Sequence, residues 1–436
     1  MKRLFFGGIH PNYNKEMSTG STSFQTIDPA QVVIPLRQHI GAPCEPLVKV
    51  GDKVLRYQKI GDGEGLCVPV HSSVSGTVIA VEPRPHVSGS DVMAVVIEND
   101  HRDTACDLVT NDLPLEELGS EAILSSIREA GIVGMGGAAF PGNVKALSAM
   151  GNIDTLIANA CECEPYITAD DTLLRTRPEQ VLQGMMLLDR VLNPARVVLA
   201  VEDNKKKAIE TLRSLLKDFP RIELVTLPTR YPQGAEKQLI LSITGREIEP
   251  GKLPVSAGCA VFNVSTFAAV YRAVRLGIPL TERIVTVSGE AIAKPQNFIV
   301  RIGTSFHDLI EVAGGLHDKT ERVISGGPMM GLAQKDLAVP VVKATNSVLC
   351  LLKDLNGAAD NPVCIRCGKC VEACPMRLQP LYIYRFDKAN DIPALIRLNP
   401  TDCIECGCCA FTCPGKLPLV ESCRAAKQKV KEASAK

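Results

Sequence analysis

Cys364-Ile-Arg-Cys367-Gly-Lys-Cys370-Val-Glu-Ala-Cys374-Pro375 and Cys403-Ile-Glu-Cys406-Gly-Cys408-Cys409-Ala-Phe-Thr-Cys413-Pro414 repeat one spacing, C-x2-C-x2-C-x3-C-P, twice. This is the ligand run for paired [4Fe–4S] clusters, in which the fourth cysteine of each run crosses to the other cluster. Cys364, Cys367, Cys370 and Cys413 are therefore expected to hold one cluster, and Cys403, Cys406, Cys409 and Cys374 the second. Three thiolates on a tight loop can reach three corners of a cubane, and the fourth must arrive from elsewhere. Structural zinc also uses C-x2-C pairs, but two complete four-cysteine runs with trailing prolines favour iron–sulfur chemistry. Three cysteines within seven residues cannot all pair with one another as disulfides.

Outward from these runs, the chain is 436 residues long, enough for three or four domains, and 45% apolar, enough to supply sizeable cores. Lys+Arg and Asp+Glu both number 48. That balance offers no general field for nucleic acid or anionic lipid. No apolar run approaches a membrane span, so membrane contact is expected only through partner subunits. Residues 1–9 lack the features of a signal peptide. Seventeen cysteines without an export signal fit a reducing cytosol. The absence of Trp argues against a carbohydrate cleft or a base-stacking platform.

Short strands are predicted at 32–36, 47–50, 68–70, 77–81 and 92–98, between Gly, Pro and Asp turns. The stretches Val48-Lys-Val-Gly-Asp-Lys-Val-Leu and His71-Ser-Ser-Val-Ser-Gly-Thr-Val resemble the halves of lipoyl- and biotinyl-type sandwich domains. The turn at 61–67 has no lysine, so a scaffold without a swinging arm is expected. From about 115 helix and strand alternate, predicting a parallel sheet covered by helices. Helices are expected at 115–130, Pro178–Leu192 and 204–216, and strands at 155–159, 196–201 and Ile222–Leu227. The Pro178–Leu192 helix carries an apolar stripe of Val181, Met185, Leu188 and Leu192. Residues 283–331 return to strands around a short helix at 305–313, a β-grasp-like pattern. Residues 353–362 read as a linker, and the basic tail from Arg424 as a solvated helix end.

Three segments carry the remaining chemistry. Gly131-Ile-Val-Gly-Met-Gly-Gly-Ala-Ala-Phe-Pro-Gly-Asn-Val-Lys145 could crowd backbone N–H groups around an anion at a helix start, or could be a flexible turn. It has neither Rossmann nor Walker A spacing. Asn159-Ala-Cys-Glu-Cys-Glu-Pro-Tyr166 falls at the end of a predicted strand, where α/β sheets gather ligands. Tyr231-Pro-Gln-Gly-Ala-Glu-Lys237 opens a helix.

Together, and with Asn263-Val-Ser-Thr266, these segments resemble the 51-kDa-type flavin-binding subunit of respiratory complex I. The chain is more similar still to the C subunits of Rnf electron-transport complexes. That likeness runs through Phe6-Gly-Gly-Ile-His-Pro11, Ile34-Pro-Leu-Arg-Gln-His-Ile-Gly-Ala42, Pro69-Val-His-Ser-Ser-Val-Ser-Gly76, Gly131-Ile-Val-Gly-Met-Gly-Gly137, Glu162-Cys-Glu-Pro-Tyr-Ile-Thr-Ala-Asp-Asp171 and Ser325-Gly-Gly-Pro-Met-Met-Gly331. The resemblance implies a multidomain α/β and β chain of four parts. They are an N-terminal barrel-sandwich hybrid (1–114), an α/β complex I 51-kDa-like FMN/NADH domain (115–280), a β-grasp, SLBB-like domain (281–352) and a dicluster 4Fe–4S ferredoxin-like domain with basic tail (353–436). It implies FMN phosphate and ring on Gly134, Gly136, Gly137 and Lys145. Asn159, Glu162, Tyr231, Gly234, Asn263 and Thr266 would complete the flavin pocket, and Phe140, Glu164 and Glu236 would meet NAD(H). Met135 stands where complex I has arginine, Cys161 and Cys163 where it has Asp and Ser, and Ala235 where it has Glu. Ala139 and Gly142 differ from the Gly and Thr usual in both families.

The implied activity is that of a peripheral subunit of an ion-translocating ferredoxin:NAD+ oxidoreductase on the cytoplasmic face of the inner membrane. Its partners would be other subunits of the complex, including a ferredoxin-like iron–sulfur subunit, with no nucleic acid. A nicotinamide exchanges electron pairs, a cluster exchanges single electrons, and a flavin can do both. The implied path is NAD(H), FMN, cluster, cluster, partner protein. Two rivals remain: a flavin and iron–sulfur cobalamin reductase of microcompartments, and an electron-wiring scaffold that has lost its nucleotide.

Overall fold

The computed structural model describes residues 5–20, 25–352 and 362–434. The expected linker lies outside the described residues apart from Pro362, as does Lys436 at the end of the tail.

Two antiparallel sheets build the N-terminal sandwich. One has the order Gln31–Pro35, Asp91–Asn99, Gly76–Pro85, Lys53–Val54, and the other Glu45–Pro46, Lys59–Asp62, Val70–His71. Alternate residues of the first sheet (Val32, Ile34, Val95, Ile97, Val78) turn inward against Ile60 and Val70, the period-2 burial of a sandwich. The strand expected at 47–50 is absent. Leu47 and Val50 are exposed, and the chain pairs just before and after, at Glu45–Pro46 and Lys53–Val54. Its Val, Leu and Lys residues belong to a turn closed by Lys49 N–H on Asp52.

The second unit is a parallel sheet in the spatial order Ile222–Leu227, Arg196–Glu202, Thr155–Ala160, Cys259–Asn263. Both faces are covered. Leu156, Ala158, Val197, Leu199 and Phe262 meet the helices Ser120–Glu129, Gly142–Ala149, Pro178–Leu192 and Val264–Leu276. Ile157, Val198, Ala200 and Val261 meet Leu239 and Ile240 of the helix Glu236–Thr244. The helix expected at 115–130 is broken. A 3-10 turn at Leu115–Glu117 is followed by an extended Gly119 that starts the helix proper at Ser120.

A third, six-stranded sheet has Glu282–Ser288 parallel to Ser347–Leu351 at its centre, with the helix Phe306–Val312 packed through Phe306, Leu309 and Ile310. That is the β-grasp arrangement. Gln25–Thr26 adds to its edge beside Gln296–Arg301, so the chain ahead of the sandwich reaches this sheet. Glu282 joins three units, accepting from Arg56 of the sandwich at 3.1 Å and Arg272 of the parallel-sheet unit at 2.8 Å.

The last unit is a pair of cysteine loops, each followed by a short helix (Lys369–Glu372 and Cys408–Phe411), braced by Pro380–Lys388, Ile392–Arg397 and the long helix Leu419–Ser434. The tail is not a freely solvated end. Arg424 and Lys427 both pair with Glu405 inside the second cysteine loop, and Lys429 pairs with Asp387.

Candidate flavin and iron–sulfur sites

Strand order reverses between Thr155–Ala160 and Cys259–Asn263, and in such sheets the crevice beyond the carboxyl ends at the reversal is where ligands bind. Asn159 and Asn263 are register partners at this point. Asn263 caps the helix Val264–Leu276 by accepting from Ser265 N–H, and its amide donates to Asp170 at 2.7 Å. Asn159 donates to Gly234 O at 2.8 Å and accepts from Cys161 N–H. The glycine-rich loop closes over the same point. Gly134 N–H donates to Phe140 O and Met135 N–H to Thr266 Oγ1 at 3.0 Å, while Gly136–Ala138 stand exposed at the tip. Gly137 has φ +133° with open space where a Cβ would be. Gly234 has no such latitude, because a Cβ there would lie 2.1 Å from Cys161 O. At the mouth, Lys145 pairs with Glu236 at 2.9 Å and lies 5.3 Å from the Phe262 ring centroid.

The acids of the strand end do separate jobs. Glu162 accepts from the N–H groups of Asp170 and Asp171, the start of the helix Ala169–Thr176. Glu164 accepts from Met329 N–H at 3.2 Å, on the Ser325–Gly331 loop of the β-grasp unit, and from the Tyr231 hydroxyl at 3.5 Å. Desolvation pushes the Glu164 carboxyl up to about 7. Sequence reasoning missed the group that shapes this segment. The buried Lys15 spends its three N–H donors on the carbonyls of Glu162, Glu164 and Ile167, at 2.8, 2.8 and 2.6 Å. A lysine 147 residues away leaves no local signal. Asp170 lies within the Glu162–Asp171 segment of the Rnf likeness but is not named by it as a site residue; it binds both Asn263 and Ser265.

In the cluster unit, the two cysteine runs share one backbone. Arg366 and Gly368 of the first run have φ +57° and +80°, and Glu405 and Gly407 of the second have +57° and +77°. These left-handed turns aim N–H groups at sulfur: Arg366 to Cys364 Sγ and Glu405 to Cys403 Sγ, both at 3.3 Å. Cys413 gathers with Cys364 and Cys370, and Cys374 stands close enough to Cys403, Cys406 and Cys409 to feel each. Cys367 is the exposed member.

Tyr231 joins the two regions. It is fully buried, and its hydroxyl donates to Cys406 O at 2.8 Å, so its ring lies between crevice and cysteine loops rather than at the crevice mouth. The N-terminal strap locks this seam. Ile9 exchanges backbone hydrogen bonds with Tyr231, Gly8 N–H donates to Ala373 O, and a Cβ at Gly7 would strike Cys374 O at 2.6 Å.

Comparison with known proteins fits this geometry. Residues 3–102 match the RnfC barrel sandwich hybrid domain, 127–272 the Nuo51 FMN-binding domain, 284–333 the SLBB domain and 363–416 the 4Fe-4S dicluster domain. The C subunit of the Na+-translocating ferredoxin:NAD+ oxidoreductase complex of Acetobacterium woodii is 46% identical, over 98% of this chain and 97% of its own length. The chain belongs to the family of Rnf complex C subunits. A second relative in that family, the C subunit of the proton-translocating ferredoxin:NAD+ oxidoreductase complex of Clostridium ljungdahlii, is 42% identical over 87% of this chain and 83% of its own. A third, from Klebsiella pneumoniae, is 42% identical over 98% of this chain but 57% of its own length. Among solved structures, a chain of an NAD+-reducing [NiFe]-hydrogenase shares the fold at a TM-score of 0.51 and 21% identity, over 73% of this chain and 64% of that one.

This RnfC-type protein therefore has an FMN-binding domain and a 4Fe–4S dicluster domain. The donor sets fit both groups. The glycine tip has open space at Gly137, and a Cβ at Gly136 would come within 3.2 Å of Asn263, which caps the positive end of a helix where an anion is favoured. Eight thiols, with Cys413 beside the first run and Cys374 beside the second and N–H donors on several of the sulfurs, suit two cubanes. No helix among the described residues is long and apolar enough to cross a membrane.

Proposed function

We propose that this chain is the NAD(H)-side subunit of an Rnf-type ion-translocating ferredoxin:NAD+ oxidoreductase, relaying electrons along NAD(H), FMN, two [4Fe–4S] clusters and a partner subunit. The observation that carries the reading is the junction at Tyr231, a buried residue that joins the flavin crevice to a cysteine loop. FMN bound in the crevice would exchange hydride with nicotinamide and single electrons with a cluster. In this reading Gly134, Gly136, Gly137 and Lys145 hold its phosphate and ring, with Lys145 released from Glu236. Asn159, Glu162, Gly234, Asn263 and Thr266 shape the floor, and Tyr231 braces it from behind. Phe140, Glu164 and Glu236 flank the nicotinamide nucleotide.

The same geometry supports an order for the clusters. Cys403, Cys406, Cys409 and Cys374 would hold the one nearest the flavin, behind Tyr231. Cys364, Cys367, Cys370 and Cys413 would hold the exit cluster, where Cys367 is exposed and Val363 and Ile365 are 65% and 66% exposed. That apolar rim suits the ferredoxin-like partner as the next carrier. We place the domain divisions at 114/115, 280/281 and 352/353, and the protein on the cytoplasmic face, bound to the membrane through its partners. Anaerobically purified protein should carry about one flavin and about eight irons per chain, and NADH should bleach the flavin. Protein that binds no flavin after reconstitution would leave only the wiring scaffold.

A further inference from the structure

The sandwich unit contains a cluster of soft donors that the electron path does not use. His39 and Cys44 from one turn and Cys67 from another are all buried, and bring their ligand atoms within 4.8 Å of one another. Cys44 Sγ and Cys67 Sγ are 3.5 Å apart, and Cys67 Sγ is 3.6 Å from His39 Nε2. A tetrahedral zinc with Zn–S of about 2.3 Å and Zn–N of about 2.0 Å has S···S and S···N edges of about 3.8 and about 3.6 Å. These two edges are close to those of a zinc shell, the third lies within 4.8 Å, and the sulfur separation is far longer than a disulfide of about 2.05 Å.

The surroundings are arranged for a ligand. His39 Nδ1 meets Ile40 O at 3.3 Å, which places the ring proton on Nδ1, the backbone anchor common to metal-bound histidines, and leaves Nε2 as the acceptor, 3.6 Å from Cys67 Sγ. Val68 O accepts from the Cys44 and Cys67 thiols at 3.3 and 3.9 Å, and Val68 N–H donates to His39 Nε2 at 3.2 Å, a bond that an ion on Nε2 would displace. The fully buried Lys343 donates to Pro69 O and Gly131 O beside this cluster. Two thiols and an imidazole select zinc among the common divalent ions.

We propose that His39, Cys44 and Cys67 bind one zinc ion, with an oxygen in the fourth position. Its effect follows from what the loops touch. Ala42 N–H donates to Leu66 O, and Ile40 N–H donates to Ala139 O in the glycine-rich loop at 3.2 Å. The ion would clip the 39–44 and 61–67 turns together and hold them against the flavin cradle.

The test is metal analysis and zinc-edge X-ray absorption on the anaerobically purified full chain, grown with zinc. About one zinc per chain is expected, beside about eight irons, with about two sulfur and one nitrogen neighbours. Cys44→Ser/Cys67→Ser should drop zinc at least tenfold and leave iron unchanged; His39→Gln should weaken zinc retention against a chelator. Wild-type protein that holds no zinc even after one equivalent is added would overturn the proposal. So would a mass about 2 Da lower from a Cys44–Cys67 disulfide, or a zinc shell of about four sulfurs, which would put the ion in the cluster cysteines. The absorption measurement on wild-type protein stands even if the variants fail to fold.

Discussion

The phenol of Tyr231 donates to the main-chain carbonyl of Cys406 across 2.8 Å, with Glu164 at 3.5 Å on its other side. Three units meet there, because Glu164 also accepts from Met329 of the β-grasp loop. Tyr231→Phe leaves the Cys406 carbonyl unpaired and buried. It should cost about 1–3 kcal/mol of stability and slow cluster reduction relative to flavin reduction. Stopped-flow absorbance with NADH, beside denaturant titration, checks both; equal slowing of both phases would count against the junction.

Glu164 should impose a pH dependence on flavin-free protein. Its folded pKa, about 7, lies above the ordinary value of 4.5. The folded state therefore binds the proton more tightly, so this contribution to stability is complete below pH 4.5 and is lost as pH rises through about 7. Glu164→Gln should flatten that slope in part; Glu162, Asp170 and Glu202, also raised by desolvation, add to it, and His39, His71 and His86, lowered by desolvation, oppose it. Thermal midpoints measured from about pH 5 to about pH 8 decide it, and an unchanged slope in the variant would refute the assignment.

Ala139 sits at φ +49°, where an L-residue is strained by roughly 1–2 kcal/mol. Ala139→Gly removes that strain at an entropic cost of roughly 0.5–1 kcal/mol. The net expectation is a gain of about 0.5–1 kcal/mol, with NADH affinity maintained or improved. Ala139→Val, β-branched at the same φ, should lose stability and flavin together. Chemical denaturation and flavin content measure this pair, and a destabilised glycine variant would contradict the backbone argument.

Much of this was readable along the chain because local periodicity carried it. The Pro178–Leu192 helix and the Ile222–Leu227 strand have their expected bounds, and the cysteine spacing pointed to the crossed sets before any geometry. The strand expected at 47–50 failed because its valines and leucine are turn residues left in or near solvent. The resemblance identified the flavin-loop segments, but it could not say that Tyr231 faces the cysteine loop or that Lys15 organises the 162–167 carbonyls. Those depend on contacts between residues more than a hundred positions apart. His39, Cys44 and Cys67 were invisible for a related reason: their spacing resembles no compact metal motif, and only the sandwich brings them together.

The most direct test of the electron path is rapid NADH reduction of Cys370→Ser and Cys406→Ser proteins under anaerobic conditions. Cys370→Ser should lose the exit cluster yet keep flavin bleaching and reduction of the cluster behind Tyr231. Cys406→Ser should keep flavin bleaching and stop electrons from NADH at the flavin. If a folded Cys370→Ser protein with its flavin in place could no longer be bleached by NADH, the flavin would not stand between nicotinamide and clusters, and the proposed order would be wrong.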